Sequence, residues 1–228
     1  MTANVAQRVA DVRQRVEIAA KKSGRNFSDI LILGVTKGVD LERISQAHQA
    51  GIRIFGENRL QEAREKITQI PAEWHMIGHL QSNKVQDAVS LFSTIQSVDS
   101  LPLAQKINSA AAHAQKTIPV FLEVNLSEEP QKYGFLGSEM YGVLDNLKIL
   151  ANIEVRGLMG IAPNTPDPAL RRGSFRKLRS LFGVCRGIKS KHFKWQWLSM
   201  GMSDDFEIAI EEGSNMVRLG RVLFGERT

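Results

Sequence analysis

The sequence predicts an α/β protein: a single (β/α)8 TIM barrel with an extra N-terminal helix, formed by residues 1–228 as one domain. Eight short apolar segments alternate with amphipathic segments of helical period, at spacings of roughly 20 to 35 residues. Strict alternation indicates parallel strands, because each crossover helix returns the chain to the same edge of the sheet. A chain of 228 residues is long enough for eight such units in one domain.

A doubly wound open sheet is the alternative that the same alternation allows. Two features of the sequence favour the barrel. Neither G-x-G-x-x-G nor G-x-x-x-x-G-K-[ST] follows any predicted strand. Polar junctions that contain glycine also follow nearly every strand, whereas an open sheet concentrates them at one switch point.

The first half of the chain is predicted to contain four strands and five helices. The strands are 31–36, 52–56, 73–77 and 94–98, and the helices are 3–22, 40–50, 59–69, 82–91 and 100–114. Val5, Val9, Val12 and Val16 form one apolar stripe on the first helix. Three of the other helices begin at residues whose side chains can accept hydrogen bonds from free N–H groups, namely Asp40, Ser82 and Ser100.

The second half repeats this rhythm with four more strands, at 118–124, 153–158, 195–198 and 216–219. A loop at 125–136 leads to a helix that ends at Leu150, and a loop with two prolines spans 160–166. Asp167 begins a basic helix with Pro168 at its first position, where the missing N–H is not needed. A short helix is predicted at 204–212.

Composition excludes several classes of protein. Hydrophobic residues make up 43% of the chain, which is enough for a large core and excludes disorder. The single cysteine, Cys185, excludes an internal disulfide, and its apolar helical neighbours indicate a core position. No apolar run approaches the roughly 20 residues of a membrane helix, and residues 1–20 lack the apolar block of a signal peptide. We therefore expect a cytoplasmic protein without membrane contact.

The formal charge of +6 comes from one segment. Residues 171–194 contain nine of the 30 basic residues and no acidic one, which leaves 21 basic against 24 acidic residues in the rest of the chain. Apolar residues recur at helical spacing within the segment, so its charges are expected on a solvated helix face, with a phosphate or acidic-protein contact as the alternative. No RNP-type motif or zinc-finger spacing is present, and no nucleic-acid partner is expected.

Lys37 is the first candidate site residue. It follows the apolar run Leu31–Val35 and Thr36, at the point where a strand buried on both faces ends. A lysine at this point is either an exposed surface cation or an amine held beside a pocket for carbonyl chemistry. In a barrel, all strand ends of this kind meet at the C-terminal face, where active sites are built.

The ends of the seventh and eighth strands predict a phosphate site. Ser199-Met200-Gly201-Met202-Ser203 supplies hydroxyls and free backbone N–H groups before a short helix, and Gly220 allows a close backbone approach. The alternative is that Ser203 only caps the helix. Asp204 and Asp205 oppose a bound dianion unless they point outward.

An amine that faces a phosphate site fits a phosphorylated aldehyde, of which pyridoxal 5′-phosphate (PLP) is the leading candidate. Arg218 ends the last strand at the same mouth, and a fixed cation at the pyridine nitrogen would disfavour protonation of the ring. The alternative role for Arg218 is a structural ion pair, for example with Glu57. His75 and His79 lie in a strand and turn without a third ligand, so structural roles are expected for them rather than metal binding.

Several motifs, in order along the whole chain, resemble those of the pyridoxal-phosphate homeostasis protein family, which is similar to the N-terminal domain of alanine racemases. The matching stretches are Gly34-Val35-Thr36-Lys37, Phe55-Gly56-Glu57-Asn58 with Gln61-Glu62, Trp74-His75, Ile77 to Lys84, Val124-Asn125, Lys132 to Phe135, Arg156 to Met159, Ser199 to Ser203 with Asp205, and Val217 to Gly220 with Phe224-Gly225.

This resemblance implies that PLP is bound as a Schiff base on Lys37, with Arg218 at the pyridine nitrogen and Asn58 in the pocket lining. It also implies phosphate contacts from Ser199, Ser203 and Gly220, within the loop that includes Gly201 and Met202. Arg221 stands where the family often has a hydroxyl residue, so one phosphate contact is missing. The second domain of alanine racemases is absent from this sequence.

Two classes of function follow. The resemblance implies a PLP-binding protein without catalytic turnover that serves intracellular PLP (vitamin B6) and amino-acid homeostasis. The expected partners are PLP and apo forms of PLP enzymes, and the expected state is a monomer. The alternative is a PLP-dependent amino-acid racemase, which needs a second base on the opposite face of the substrate carbon.

Overall fold

The structure, a computed structural model, describes residues 4–127, 129 and 131–226. Eight parallel strands pair in sequence order, and β8 pairs with β1 to close the barrel. The strands are β1 Leu31–Val35, β2 Ile54–Glu57, β3 Glu73–Met76, β4 Thr94–Val98, β5 Ile118–Val124, β6 Ile153–Gly160, β7 Phe193–Ser199 and β8 Met216–Leu219. The predicted barrel is confirmed, and the open sheet is excluded.

Helices follow the strands around the outside of the barrel. They are α1 Val5–Lys22, α2 Leu41–Gln49, α3 Leu60–Ile67, α4 Val85–Leu91, α5 Leu101–His113, α6 Met140–Leu147, α7 Pro168–Gly187, α8 Phe206–Glu211 and α9 Arg221–Phe224. Short 3₁₀ turns occur at Phe27–Asp29, Ser82–Lys84 and Gly137–Glu139. None of the helices in the described ranges is both long and apolar enough to cross a membrane.

Two apolar layers hold the barrel. The large layer lies between strands and helices, while a small cluster formed by Leu33, Ile54, Phe121, Met159 and Met216 fills the barrel interior. Side chains alternate along a strand, so residues two positions beyond an interior residue also face inward. This rule directs Glu123 and Arg218 into the barrel, above Phe121 and Met216.

The extra N-terminal helix is confirmed as α1. Its predicted stripe is buried, as are Ala19 and Ala20, and the helix packs against α2, α8 and α9. Asn4 caps α1, since its side chain accepts from Gln7 N at 2.8 Å. Residue 3, the predicted start of this helix, lies outside the described residues.

Some of the predicted helix N-cap residues are confirmed by the structure and others are not. Asp40 accepts from Arg43 N at 2.9 Å, and Asp167 accepts from Ala169 N at 2.8 Å, as predicted. The prediction that Ser82 caps a helix is wrong, because Ser82 begins a 3₁₀ turn and α4 starts at Val85. Ser100 occupies the N-cap position of α5, but its side chain makes no capping hydrogen bond.

Element lengths differ from the prediction where tertiary contacts extend or shorten a segment. β6 extends to Gly160, two residues beyond the predicted end, because it pairs with β5 as far as Val124. α8 begins at Phe206 rather than at 204. α9, a single turn after Gly220, was not predicted because four residues carry no recognisable period.

The basic helix α7 is less free than its sequence indicates. Arg172 donates to Glu211 and Glu212 of α8, each at 2.6 Å, and Arg176 donates to Glu212 at 2.8 Å. Arg171 donates to Asp204 O at 3.0 Å. The predicted solvated face is therefore wrong for Arg171 and Arg172, which are half-buried against residues far along the sequence, whereas Arg176 stays exposed although it is paired. Cys185 is buried as predicted, and burial raises the pKa of its thiol to about 12.

Candidate functional site

Lys37 lies in a tight turn directly after β1, and Gly38 takes the left-handed conformation (φ +68°) that a side chain disfavours. Val39 N donates to Thr36 O at 2.9 Å, which closes the turn. The side chain of Lys37 is half-buried and forms no hydrogen bond or ion pair with any described residue. The turn therefore presents an unengaged amine at the C-terminal mouth of the barrel.

The peptide groups on both sides of Lys37 are held by side chains of α3. Lys66 Nζ donates to Thr36 O at 2.7 Å, and Glu62 Oε2 accepts from Gly38 N at 2.9 Å. Lys66 and Glu62 are themselves 3.4 Å apart. Because α3 fixes both flanking groups, the backbone at Lys37 has little freedom to shift.

A buried ion pair anchors this arrangement. Lys66 Nζ donates to Glu57 Oε1 at 2.6 Å, and Thr36 Oγ1 donates to the same oxygen, also at 2.6 Å. Glu57 is fully buried, and its other oxygen, Oε2, has no hydrogen-bond partner among the described residues. Glu57 therefore pairs with Lys66, which corrects the alternative that it pairs with Arg218.

Asn58 is half-buried at the end of β2 and lines a cavity of about 470 Å³ with Met76 and His79. Its backbone packs against Gly78, where a Cβ atom would lie 2.7 Å from Asn58 Cα and O. Only glycine fits at this position, so the ends of β2 and β3 approach closely. Asn58 is thus at the barrel mouth, as predicted.

His79 and Tyr133 form an unpredicted cluster on the same face. Their rings stack with centroids 3.7 Å apart and an interplanar angle of 14°, and His79 Nδ1 lies 3.0 Å from Asp99 Oδ2. Tyr133 is exposed. The pairing places a carboxylate, an imidazole and a phenol at the ends of β3 and β4 and in the loop after β5. Nowhere within 4–127, 129 or 131–226 do three His, Cys, Asp or Glu residues form a group that could hold a metal ion.

Arg218 is buried within the mouth, only 4% exposed. Its Nη1 donates to Ser199 O at 2.7 Å and to Ser199 Oγ at 2.8 Å, and its Nη2 donates to Gly160 O at 3.0 Å. Burial lowers the pKa of Arg218 to about 10, while Glu123 and Asp205 oppose this shift. The side chain is therefore still a cation at neutral pH, and three of its five N–H donors are engaged.

A directed chain of hydrogen bonds crosses the barrel from Arg218. A guanidinium can only donate, so Ser199 Oγ accepts from it and gives its single hydrogen to Gln96 Oε1 at 2.7 Å. Gln96 Nε2 then donates to His75 Nδ1 at 2.7 Å, which leaves His75 Nε2 to donate to Glu73 at 2.8 Å. His75 has the structural role that its sequence context predicts. Gln96 was missed, because a lone glutamine in a strand carries no sequence signal.

The loop after β7 folds back on itself at the predicted phosphate site. Gly201 has φ +94°, and a Cβ atom there would meet the Cβ of Ala209 at 2.6 Å. Met202 N donates to Asp205 Oδ1 at 2.6 Å, and burial raises the pKa of Asp205 although this hydrogen bond opposes it. Met202 is 38% exposed. Asp205 thus closes the loop, while Asp204 points outward and pairs with Arg221.

The two predicted phosphate serines differ in their contacts. Ser203 Oγ accepts from Val222 N of α9 at 3.3 Å, so Ser203 is not the N-cap of α8, which is Asp205. The hydroxyl hydrogen of Ser203 has no acceptor among the described residues. Ser199 is fully buried and has already given its hydrogen to Gln96. Of the two hydroxyl groups, only that of Ser203 has a hydrogen that it can still donate.

Gly220 lies between Ser203 and β1 in the mouth. A Cβ atom at Gly220 would meet Val35 at no less than 3.5 Å, an ordinary contact. The expected close approach of the opposite backbone is therefore absent, and the protein's own packing does not require glycine here. Gly220 itself is partly accessible to solvent.

Glu123 faces this group of residues from β5. Burial raises the pKa of Glu123 to about 7, Arg218 opposes the shift and Asp99 adds to it. The mouth thus combines two cations, Lys37 and Arg218, with a carboxyl group that titrates near neutral pH. Sequence analysis missed Glu123 and Lys66 as parts of the site, whereas the strand-end rule places Asp99 at the mouth because it directly follows β4.

Known proteins resemble this chain over nearly its whole length. Residues 12–228 match the family model described as "Alanine racemase, N-terminal domain". A Pseudomonas aeruginosa protein named pyridoxal phosphate homeostasis protein is 37% identical over 226 residues, covering 98% of this chain and 96% of its own length. A protein of the same name from Aquifex aeolicus is also 37% identical, and covers 98% and 99% of the two chains.

Two solved structures have folds similar to that of this chain. PipY of Synechococcus elongatus PCC7942, solved with PLP bound, has a TM-score of 0.84 and 30% identity, covering 97% of this chain and all of that one. An alanine racemase of Clostridium difficile 630 has a TM-score of 0.71 at 17% identity, and covers 96% of this chain but only 56% of its own. At this identity, the racemase shows a shared fold alone.

Proposed function

The chain belongs to the family of pyridoxal phosphate homeostasis proteins, and we propose that it holds PLP as a Schiff base on Lys37 and serves PLP and amino-acid homeostasis without catalytic turnover. The observation that carries this proposal is the unengaged Lys37 amine, whose flanking peptide groups are both fixed by α3. When bound, PLP supplies an aldehyde that condenses with a primary amine and releases water. Residues 1–228 act in this proposal as one PLP-binding barrel.

The residues at the mouth fit the two ends of PLP. The two N–H donors of Arg218 that have no acceptor among the described residues are available to the ring nitrogen. Asn58 lines a neighbouring cavity with His79, and its place in the lining of the PLP pocket stays a prediction from the resemblance. Because Arg218 does not surrender its proton at neutral pH, it keeps the ring nitrogen unprotonated and so limits carbanion chemistry.

The phosphate position is assigned to Ser203, Gly201, Met202 and the backbone around Gly220. The hydroxyl hydrogen of Ser203 has no acceptor among the described residues, and Gly220 is partly accessible to solvent. In this assignment Ser199 acts through Arg218, because its only hydrogen already binds Gln96. The contact of Ser199 with the phosphate that the resemblance implies stays a prediction.

A PLP-dependent racemase is the competing function. It needs a second base opposite Lys37. Among the described residues, Tyr133 is the tyrosine at the mouth, and its ring is stacked on His79 rather than in contact with Lys37. No contact among the described residues at the mouth favours turnover over binding. The proposed partners are therefore PLP and apo enzymes that require it, with the protein acting as a monomer.

The test is borohydride trapping of PLP in the intact protein, followed by peptide mass mapping. We expect one reduced PLP adduct, on Lys37, and none in the Lys37→Ala variant. Lys84→Ala is the matched control, because Lys84 lines the neighbouring cavity and should leave the adduct unchanged. Circular dichroism confirms that each variant is folded. An adduct on another lysine in the wild-type protein overturns the assignment.

A further inference from the structure

A cavity of about 740 Å³ lies at the opposite end of the barrel from Lys37. It is bordered by the C-terminal half of α7, the start of β7 and the loops that lead into β1 and β8. Its volume is in the range of small-molecule sites, which is roughly 300–1,000 Å³. The function proposed above does not use this cavity.

Three guanidinium groups line the cavity, those of Arg25, Arg179 and Arg186. Arg25 is engaged, since it donates to Ser214 O at 2.8 Å and to Ile210 O at the end of α8. The guanidinium groups of Arg179 and Arg186 form no hydrogen bond or ion pair in the described part of the chain. Arg179 also lies close enough to Arg25 to contribute to the lowered pKa of Arg25, after the larger effect of burial.

Nearby acids do not neutralise these two arginines. Glu211, which lines the cavity, is paired with Arg172 at 2.6 Å and lies 3.6 Å from Lys22. The charge of Asp29 favours the protonated form of Arg25, and the Asp29 carboxylate accepts a hydrogen bond from Asn26 N at 2.9 Å. The cavity therefore has an excess of positive charge, which favours an anionic ligand.

An aromatic wall adds a second, independent feature. Phe182 and Trp195 line the cavity and meet edge to face, with centroids 6.0 Å apart. The indole Nε1–H of Trp195 is buried and donates to no described atom. A buried N–H without an acceptor is costly. The rings beside it give the cavity a flat apolar wall of the kind on which a planar ring stacks.

We propose that this cavity binds a small molecule with a phosphate group on a flat ring. Arg179 and Arg186 bind the phosphate, because planar guanidinium groups match its oxygens. Trp195 and Phe182 bind the ring portion. A bare phosphate would leave most of the cavity and its aromatic wall unused.

The test follows the indole N–H resonances of the full-length protein in ¹H–¹⁵N spectra. There are three tryptophans, and Trp195→Phe assigns the relevant signal. Adenosine 5′-monophosphate should shift the Trp195 signal saturably, inorganic phosphate should act more weakly, and adenosine should have no effect. If no phosphate compound shifts this signal, or if adenosine acts as well as its monophosphate, the proposal is overturned.

Gly183 provides a variant that fills the cavity without disturbing the fold. It lines the cavity between Arg179 and Arg186, and a Cβ atom there would have no neighbour within 4 Å. Gly183→Leu should abolish the shift. Gly173→Leu is the matched control, since Gly173 lies on the same helix, is equally open and does not line the cavity. Binding that survives Gly183→Leu places the ligand elsewhere.

The charge requirement is tested separately. Arg179→Gln and Arg186→Gln should each weaken binding by about tenfold or more, the effect of one charge-assisted hydrogen bond. Lys191→Gln removes an equal charge from an exposed position outside the cavity and should leave the affinity unchanged. Equal losses in all three variants would indicate nonspecific charge attraction and overturn the assignment to the two arginines.

Discussion

Lys66 determines how Lys37 is presented, although the two side chains are not in contact. It supplies the cation for buried Glu57 and holds the carbonyl of Thr36. Glu62 holds the N–H of Gly38 from the same helix. Lys66 therefore has two roles: it stabilises the fold by pairing with Glu57, and it fixes the backbone beside Lys37.

We predict that Lys66→Met lowers the free energy of unfolding by about 3–5 kcal/mol, because Glu57 would keep a buried charge without a partner. PLP trapping on Lys37 should also fall at subsaturating PLP, since the turn loses its anchor. Urea unfolding and adduct mass measure the two effects. The double variant Lys66→Met/Glu57→Gln should recover part of the stability. A Lys66→Met protein as stable as the wild type would contradict the buried ion pair.

Glu123 makes stability depend on pH. Its pKa is about 7 in the folded protein and ordinarily 4.5, so the folded state retains a proton that the unfolded state releases between these values. The contribution to stability is therefore complete below pH 4.5 and is lost as the pH rises through 7.

We predict that Glu123→Gln removes this loss, which amounts to as much as about 3 kcal/mol in the free energy of unfolding. Urea titrations of cofactor-free protein at several pH values measure the difference between variant and wild type. Glu139→Gln alters an exposed carboxyl group and serves as the control. A constant difference across pH 5 to 8 would show that Glu123 has an ordinary pKa.

At the scale of elements, ion pairs between arginines and glutamates connect α7 to the end of α8. Arg172 forms two hydrogen bonds to neighbouring glutamates, and Arg176 adds a third. Glu212, which receives two of them, is only 5% exposed. This contact fixes α8, which follows the loop from Gly201 to Asp205, so the basic helix supports the predicted phosphate site from outside.

We predict that Arg172→Gln lowers the free energy of unfolding by about 1–3 kcal/mol, because it leaves a buried carboxylate short of donors. Lys189→Gln removes a charge from the same basic segment, where the side chain only donates to a backbone carbonyl, and should change stability by less than about 0.5 kcal/mol. Chemical denaturation measures both. Equal effects would mean that α7 is held by its apolar face alone.

At the scale of the whole molecule, the closed barrel gathers eight strand ends at one mouth. Lys37, Arg218, Ser203 and Glu123 come from β1, β8, β7 and β5 or the loops after them. The matched alanine racemase shares this fold but is nearly twice as long, with 56% of its chain covered. The fold that the two proteins share is thus the barrel, which is only part of the racemase.

We predict that the PLP-loaded protein does not exchange the α-proton of L-alanine. The fixed cation of Arg218 disfavours protonation of the ring, and the unprotonated ring is a poor electron sink. Proton NMR in D₂O measures deuterium uptake, and chiral chromatography measures D-alanine. Free PLP at equal concentration is the control. Exchange above that control which disappears in Lys37→Ala would establish the racemase-type alternative.

The sequence by itself determined the barrel, the order of its strands and the position of Lys37. Period and alternation are local properties, so β4, β5 and β8 were predicted with their observed limits. The strand-end rule then identified the mouth residues from chain position alone. The same rule correctly placed Asn58, Arg218 and the loop 199–203 on one face.

Only the tertiary structure decided which side chains form hydrogen bonds and ion pairs with each other. Ser199 and Ser203 are indistinguishable in sequence, but one gives its hydrogen to Gln96, 103 positions away, while the other keeps it. Glu57 meets Lys66 rather than Arg218, and Arg172 meets α8 rather than solvent. Hydrogen bonds and ion pairs depend on distances of a few tenths of an ångström between elements remote in the chain, and sequence periodicity carries no such information.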